Sequence, residues 1–368
     1  MKVVYCVNSL WQSGGTERVV TTKMNYLAEL RGYEVHVVVR DKSKKDFFTL
    51  SPQIIRHCLG CEKSVSAYRH ELEVLLMQLH ADVAICVGGI ELPFLWKLQD
   101  GSRKILEFHY TKNFLVNFVR GIHHIRFRKL HLLKVWLIQQ RITYYARKYD
   151  CVVGLTQRDV HLWGDPANMT YIYNPLSFRS ERQSSLAGKE IISVGSFTPA
   201  KGMDLLIEAF GRIAKRHADW HLSLFGSGQD YELLRKLISK YDIEKQVTLN
   251  VPCSHIADKL QESSIYAFPS RSDGFGLVLT EAMECGLPCV AFDCECGPRE
   301  IIDNGVTGFL VPPQDINAFA SALERLIDDL DLRRAMGENA HRAVARFYVE
   351  NIMPQWTDLF TQLTERKQ

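Results

Sequence analysis

The sequence predicts an α/β protein made of two doubly wound, parallel-sheet domains. Three observations predict it. The chain has 368 residues, and about 150 residues per domain gives a prior of two domains. Short runs of Val and Ile that are apolar throughout, rather than alternating, recur between helical stretches, as in parallel strands covered on both faces. The strand–helix alternation stops at a polar, aperiodic segment and then restarts.

The elements follow in order. Val3–Val7 reads as a first strand, and residues 18–31 as a helix with Val20, Met24 and Leu27 on one face and Gly32 closing it. Strands follow at Val35–Val39, Val83–Val87, Ile105–Phe108 and Cys151–Leu155. The break spans Pro175 to Ser185. Beyond it, strands are expected at Ile191–Gly195, His221–Phe225, Val247–Asn250, Ile265–Pro269, Cys289–Asp293 and Gly308–Val311. A helix between the first two carries Leu206, Ala209, Phe210 and Ile213 at helical spacing. The reading is a Rossmann-like domain at 1–174, a linker at 175–187 and a second Rossmann-like domain at 188–345. Residues 346–368 then form a helix, striped by Trp356, Leu359, Phe360 and Leu363, that crosses back to the first domain. A cleft is expected between the C-terminal ends of the two sets of strands.

Hydrophobic residues make up 46% and charged residues 24%, which excludes a disordered, collagenous or disulfide-scaffold chain. The run from Met1 to Asn8 is too short for a signal peptide, and no stretch reaches the length that spans a bilayer. The ten cysteines, several of them inside apolar strands, read as reduced thiols of a cytoplasmic protein. His57-Cys58-x-x-Cys61 and Cys294-Glu295-Cys296 lack a second ligand pair, so no metal site is expected. The net charge of +3 conceals a division: residues 1–176 hold 24 Lys+Arg against 15 Asp+Glu, and residues 177–368 hold 21 against 27.

Three turns carry candidate chemistry. Asn8–Arg18 contains Gly14-Gly15 between a strand and a helix, which is either an anion site at a helix N-terminus or a plain tight turn. Gly195-Ser196-Phe197-Thr198-Pro199-Ala200-Lys201-Gly202 sets a lysine at a second strand-to-helix turn. The third turn leads from Pro269 through Asp273-Gly274-Phe275-Gly276 into a helix from about Gly276 to Cys285. That helix is apolar nearly all round, so burial is expected. Asp273 and Glu281 are either ligand-binding acids or a capping Asp and an ordinary helical Glu.

Together these motifs resemble the family 4 retaining glycosyltransferases of the GT-B fold. The family's paired acids and following turn appear as Asp273-Gly274-Phe275-Gly276 and Glu281-Ala282-Met283-Glu284-Cys285-Gly286-Leu287-Pro288. Its other marks appear as Gly14-Gly15-Thr16-Glu17-Arg18, Lys201-Gly202, Asn174-Pro175, Gly226-Ser227-Gly228, Gly297-Pro298-Arg299-Glu300 and Asn304-Gly305 with Gly308 to Val311. The sequence departs from the family at Asp273, where Glu is usual, and at Ser196, where Arg is frequent. The latter leaves Lys201, or a substitute such as Arg271 or Arg299, to meet the diphosphate. After Asn250 the usual Gly gives way to Val251-Pro252, which leaves the base-binding loop undefined.

The resemblance implies transfer of a hexose or N-acetylhexosamine from a nucleoside-diphosphate sugar, with retention and without a metal or other cofactor. It implies donor binding by Gly14, Gly15, Gly195, Ser196, Lys201, Gly226, Asp273, Gly274, Phe275, Gly276, Leu277 and Glu281, and catalytic roles for His109, Asp273 and Lys201. Asp273 would meet donor-sugar hydroxyls, Glu281 the ribose and His109 the sugar from the first domain. The Gly297-Pro298-Arg299-Glu300 loop resembles that of UDP-sugar users. Between Glu107 and Asp150 the chain has no acid but nine Lys/Arg, interleaved with aromatic residues. Lys112, Arg120, Arg126, Arg128, Lys129 and Lys134 therefore suggest a face that rests on the anionic inner surface of the cytoplasmic membrane and meets a lipid-linked saccharide. Nucleic acid is not expected as a partner, because no binding motif accompanies the charge. The alternatives are an epimerase or phosphorylase of the same fold, or a non-catalytic relative that binds nucleotide or lipid.

Overall fold

The computed structural model describes every residue except 13, 41–44, 61–63, 122–127, 254 and 366–368. In chain order the elements are β1 (Lys2–Cys6), α1 (Gly15–Glu29), β2 (Glu34–Val39), β3 (Ile55–Cys58), α2 (Val65–Leu79), β4 (Val83–Cys86), β5 (Arg103–Glu107), α3 (Phe114–Gly121), α4 (Arg128–Ala146), β6 (Cys151–Gly154), α5 (Gln157–Trp163) and β7 (Met169–Tyr171). After the break come β8 (Glu190–Val194), α6 (Met203–Ile213), β9 (His221–Phe225), α7 (Tyr231–Tyr241), β10 (Val247–Asn250), α8 (Ile256–Glu262), β11 (Ile265–Phe268), α9 (Leu277–Glu284), β12 (Cys289–Phe292), α10 (Pro298–Ile301) and β13 (Gly308–Val311). The chain ends in α11 (Ile316–Asp328), α12 (Leu330–Val344) and α13 (Val349–Glu365).

Among the described residues there are two all-parallel sheets, ordered β3-β2-β1-β4-β5-β6-β7 and β10-β9-β8-β11-β12-β13. The chain divides into two compact units. One comprises residues 1–112, 132–177 and 347–368, and the other 113–131 and 178–346. Helix α3 therefore groups with the second unit.

Burial follows the sequence pattern. Val3, Tyr5, Val35, Val37, Val83, Ile85, Ile105 and Val153 form the centre of the first core, and α1 covers it with Val20, Met24 and Leu27. Helix α13 joins that same core through Ile352, Met353, Trp356, Phe360 and Leu363. In the second unit Leu206, Ala209, Phe210 and Ile213 of α6 pack on Ile191, Leu222 and Leu224. Burying an aliphatic side chain contributes about 1.5–3 kcal/mol, so these faces hold the helices on the sheets and fix where the loops at the strand C-termini emerge.

Two strands escape the sequence pattern. β3 and β7 are four and three residues long, lie at opposite edges of the first sheet and are at most half-buried. An edge strand exposed on one side has no continuous apolar run to betray it.

Candidate functional site

In an open parallel sheet a ligand crevice forms where neighbouring strands feed loops in opposite directions. In the second unit that point lies between β8 and β11. The loop after β8 holds Gly195, Ser196 and Lys201. The loop after β11 holds Arg271, Asp273 and Gly274. Backbone bonds sew them together: the Arg271 N–H donates to Ala200 O at 2.8 Å and the Ser272 N–H to the same oxygen at 3.3 Å. The result is an ion pair between Lys201 Nζ and Asp273 Oδ2, with the lysine side chain 31% exposed and the aspartate 13%. Asp273 Oδ1 also accepts from the Phe275 N–H at 3.3 Å. An acid and a cation from separate loops thus meet at the mouth of the switch point.

The loop after β9 closes on the first of these. The Gly195 N–H donates to Phe225 O at 3.0 Å, and the Phe197 N–H donates to Ser227 O at 2.8 Å. Gly226 lies so close to Gly195 that a Cβ would stand 3.0 Å from the Gly195 carbonyl carbon and overlap its oxygen. Ser196 is exposed, and its Oγ is 3.2 Å from Thr198 Oγ1.

Gly276, at φ +93°, turns the chain into α9, whose first residue is Leu277. Leu279, Ala282 and Met283 are buried, Phe275 is buried ahead of them, and Glu281 is buried within the helix. The Leu279 N–H donates to Gly276 O at 2.8 Å, while the N–H groups ahead of it open α9 at the positive end of the helix dipole.

Arg271, a candidate substitute for the missing arginine at position 196, already has partners. Its guanidinium forms a two-pronged pair with Asp204, 2.7 and 2.6 Å, and donates to Pro199 O at 2.9 Å. Arg299 is paired with Asp293. Both arginines already satisfy an acid of their own unit.

Sequence reading missed the attachment of α3 to these loops. Asn113 Nδ2 donates to Glu295 Oε1 at 2.6 Å, while Asn117 Nδ2 lies 3.2 Å from both Glu295 Oε2 and Ser272 Oγ. The three residues are far apart in sequence and none stands in a motif. Glu295 had drawn notice only for its cysteine neighbours. Burial, with the charge of Asp273 adding to it, pushes the Cys294 thiol up to about 12. Among the described residues no group of three or more His, Cys, Asp or Glu is assembled to hold a metal ion. Cys61 lies outside the described residues.

In the first unit the switch point lies between β1 and β4. Gly14 and Gly15 follow β1 and begin α1, with Gly14 extended and no side chain capping the helix. Glu17 folds its carboxylate back over Gly14. Burial raises Glu17 above the usual carboxylate range, opposed by its backbone hydrogen bond and by the charge of His109. Ser13 lies outside the described residues. The loop after β4 contributes Gly89 and Glu91, which the sequence reading passed over. Glu91 is fully buried and accepts from the Tyr68 hydroxyl at 2.5 Å.

His109 follows β5, one strand further along. Its side chain is 3% exposed, and Nε2 lies 3.1 Å from Glu107 Oε1. The same oxygen is paired with Lys23 Nζ from α1, and both of those side chains are 1% exposed. Burial alone would raise Glu107. The Lys23 ammonium, together with the neighbouring His109 ring, outweighs it and holds the carboxyl down at about 2. One sequence signal pointed here: Glu107 is the one acid of β5 and directly follows the apolar pair Ile105-Leu106, and a buried charge requires a partner. Nothing local identified that partner as Lys23.

Of the basic residues, Lys129 and Lys134 are exposed on α4. Lys112 is not part of an open face: its ammonium donates to Leu162 O at 2.6 Å and lies 5.6 Å from the centre of the Trp163 ring. Arg126 lies outside the described residues, as do the side chains of Arg120 and Arg128. Helix α4 buries Val135, Gln139 and Ala146 on one side yet exposes Leu130, Leu133, Trp136, Leu137 and Tyr144 on the other. No helix among the described residues is long and apolar enough to cross a membrane.

Comparison with known proteins adds a family dimension. Residues 177–343 match the model of the glycosyl transferases group 1. An uncharacterized glycosyltransferase of Haemophilus influenzae is 28% identical over 366 residues, which cover 96% of this chain and 98% of the relative. A lipopolysaccharide 1,6-galactosyltransferase of Salmonella typhimurium is 25% identical over 262 residues, covering 68% and 67%. Among solved structures, S. aureus TarM in complex with UDP, α-GlcNAc-glycerol and fondaparinux aligns with a TM-score of 0.78 over 98% of this chain and 99% of its own, at 16% identity. That last likeness concerns the fold alone.

Proposed function

We propose that this chain, a glycosyltransferase of the GT-B fold, moves a hexose or N-acetylhexosamine from a UDP-sugar to a hydroxyl of a lipid-linked saccharide in the building of a cell-surface glycan. The observation that carries the reading is the Lys201–Asp273 pair at the β8/β11 switch point, directly ahead of Gly276 and the buried helix that holds Glu281. A relative that acts on lipopolysaccharide supports the glycan class, and a structural neighbour that binds UDP supports the donor class.

The chemistry follows from the residues. A leaving diphosphate gathers negative charge as the glycosidic bond stretches. Lys201 and the first N–H groups of α9 are fixed donors of the right sign, and each well-aimed donor contributes about 3 kcal/mol to such a transition state. No metal is required when protein donors neutralise that charge. Asp273 receives the sugar hydroxyls and Glu281 accepts from the ribose diol; in the first unit, His109 is the residue offered to a sugar. Retention follows if the acceptor hydroxyl attacks on the face the diphosphate leaves, through an oxocarbenium-like state.

The acceptor lies at a membrane. Helix α4 exposes Leu130, Leu133, Trp136 and Leu137 alongside Lys129 and Lys134, in a stretch without acids. An anionic bilayer matches both the apolar and the basic character of that face. The deciding experiment is a donor panel read by nucleoside-diphosphate release in membranes that supply the acceptor. UDP release from one UDP-sugar, lost in Glu281→Ala at unchanged folding, is expected. Full turnover in Glu281→Ala rejects the site. Flotation with anionic and neutral vesicles tests the surface: equal recovery, or no salt dependence, rejects electrostatic docking.

A further inference from the structure

Beneath the loop of His109 lies a line of buried charge and aromatic rings that the donor chemistry leaves unexplained. Lys23 stands on α1, Glu107 ends β5, and Trp356 comes from α13, all within the first unit. Lys23 Nζ is bound to Glu107 Oε1 and sits 4.0 Å from the centre of the Trp356 ring and 5.8 Å from that of Tyr5. His109 Nε2 approaches the same carboxylate oxygen at 3.1 Å.

We propose that Lys23, Glu107 and Trp356 are positioning residues that fix the tautomer and orientation of His109, so that the C-terminal helix α13 belongs to the machinery of the first unit's site. This rests on the reading of His109 as the residue that meets the sugar.

The physical case is one of obligation. A fully buried ammonium is costly unless it is paired and hydrogen-bonded. Here a carboxylate occupies one side of Lys23, and the electron-rich faces of Trp356 and Tyr5 occupy others, a desolvated cation–π arrangement. Lys23 in turn holds Glu107 ionised, and an ionised carboxylate can only accept. The imidazole nitrogen facing it must then carry the proton. Nε2 lies 3.1 Å from the Glu107 carboxylate but makes no hydrogen bond to it; with the proton on Nε2, Nδ1 keeps a lone pair for a sugar hydroxyl. Glu107 Oε2 and His109 Nε2 both lack a hydrogen-bond partner, so a buried acceptor and a buried donor stand side by side, and the ring settles onto the carboxylate when a ligand binds. A carboxylate that orients a histidine in this way governs activity without touching substrate. Glu17, across from His109 on α1, is the other acid whose titration His109 affects.

The test reads the histidine directly. In protein with ¹⁵N-labelled histidine, long-range ¹H–¹⁵N correlation reports each ring's tautomer, and His109→Gln assigns the signals of His109. Wild type is expected to show the Nε2–H form. Glu107→Gln and Trp356→Leu are expected to give a mixture of forms, and Lys23→Arg and Trp356→Phe to restore most of the native form. Nucleotide release should fall about 100-fold in kcat in Glu107→Gln and Trp356→Leu while the donor KM stays within about twofold, because the donor-binding residues of the second unit are untouched. An unchanged His109 tautomer in folded Glu107→Gln overturns the proposal. If Glu107→Gln does not fold, Trp356→Leu decides: a native tautomer there overturns it equally. A shifted tautomer in a protein that turns over no donor overturns the glycosyltransfer reading alone and leaves the positioning role supported.

Discussion

Gly202→Ala is the perturbation that most directly tests how the donor turn is held. Gly202 stands at φ +65°, between the short 3₁₀ turn Pro199–Lys201 and α6. An alanine pays about 1–2 kcal/mol for a left-handed backbone. Its Cβ would also stand 3.0 Å from the Pro269 carbonyl carbon and overlap the oxygen. Both sides of that contact are backbone, so no side chain can rotate away, and overpacking of this kind costs about 1–3 kcal/mol more. The expected loss is about 2–5 kcal/mol in the second unit. Gly32→Ala is the matched control: φ is +88° and nothing lies within 4 Å of its Cβ, so only the backbone cost of about 1–2 kcal/mol remains. Native-state hydrogen exchange on α6 and α9 measures the first, and exchange on α1 and β2 the second, because a two-unit chain has no single unfolding free energy. Equal losses in the two variants would refute the clash. A real clash should also weaken UDP binding, since Pro269 leads into the loop that aims Asp273 at Lys201.

Three further outcomes are expected. Burial raises the carboxyl of Glu91 above its ordinary 4.5, against the hydrogen bond from Tyr68 and the charge of Arg40. The native state therefore holds this proton more tightly than the unfolded chain, and stability falls as pH rises above about 4.5. Glu91→Gln, which keeps an acceptor for Tyr68, should abolish that share of the fall, and parallel pH–stability curves for the two proteins would contradict the assignment. Glu295→Ala removes the acceptor for Asn113 and Asn117; hydrogen bonds to a charged group contribute about 1.5–3 kcal/mol, so amides of α3 should exchange at least about tenfold faster, and unchanged protection would count against the attachment. Gly15→Ala adds a Cβ with nothing within 4 Å and should leave thermal stability intact while weakening donor-sugar binding by calorimetry; unaltered affinity would remove the α1 N-terminus from the site.

What was legible in the sequence divides along physical lines. Buried parallel strands announce themselves because both faces must be apolar: Val3–Val7 and Cys289–Asp293 agree with β1 and β12 to within a residue. β3, with Ile55 and Arg56 exposed, had no such signature. Helix α1 begins at Gly15, three residues before the expected start at 18, because glycine has no side chain to mark a helical face. At the site, Lys201 and Asp273 were each visible as turn residues, yet their pairing needs β8 and β11 to be neighbours, a fact of topology. Lys23 was invisible for the same reason. On a helix with Val20, Met24 and Leu27 inward, a lysine reads as solvent-facing unless the partner 84 residues away is known.

The pairing of Arg271 with Asp204 and of Arg299 with Asp293 sharpens the meaning of Ser196. On the proposed reading Lys201 meets a diphosphate at the β8/β11 switch point, and Lys201 is already held by Asp273. Binding then exchanges a carboxylate for a phosphate, and the gain is the difference between two ion pairs, not the whole of one. A second cation would have no such partner to give up. Position 196 is exposed, and its Oγ makes only a 3.2 Å contact with Thr198, so Ser196→Arg should fold normally. A charge-assisted hydrogen bond to phosphate contributes about 1.5–3 kcal/mol, reduced by solvent at an open site to about 1 kcal/mol. UDP affinity should therefore rise by about fivefold at low salt, and the gain should shrink as ionic strength increases. Product release should slow in proportion, so kcat falls if release limits turnover. Calorimetry with UDP at two salt concentrations checks both parts. Unchanged affinity at low salt would mean that the phosphates do not lie over the Gly195–Lys201 turn.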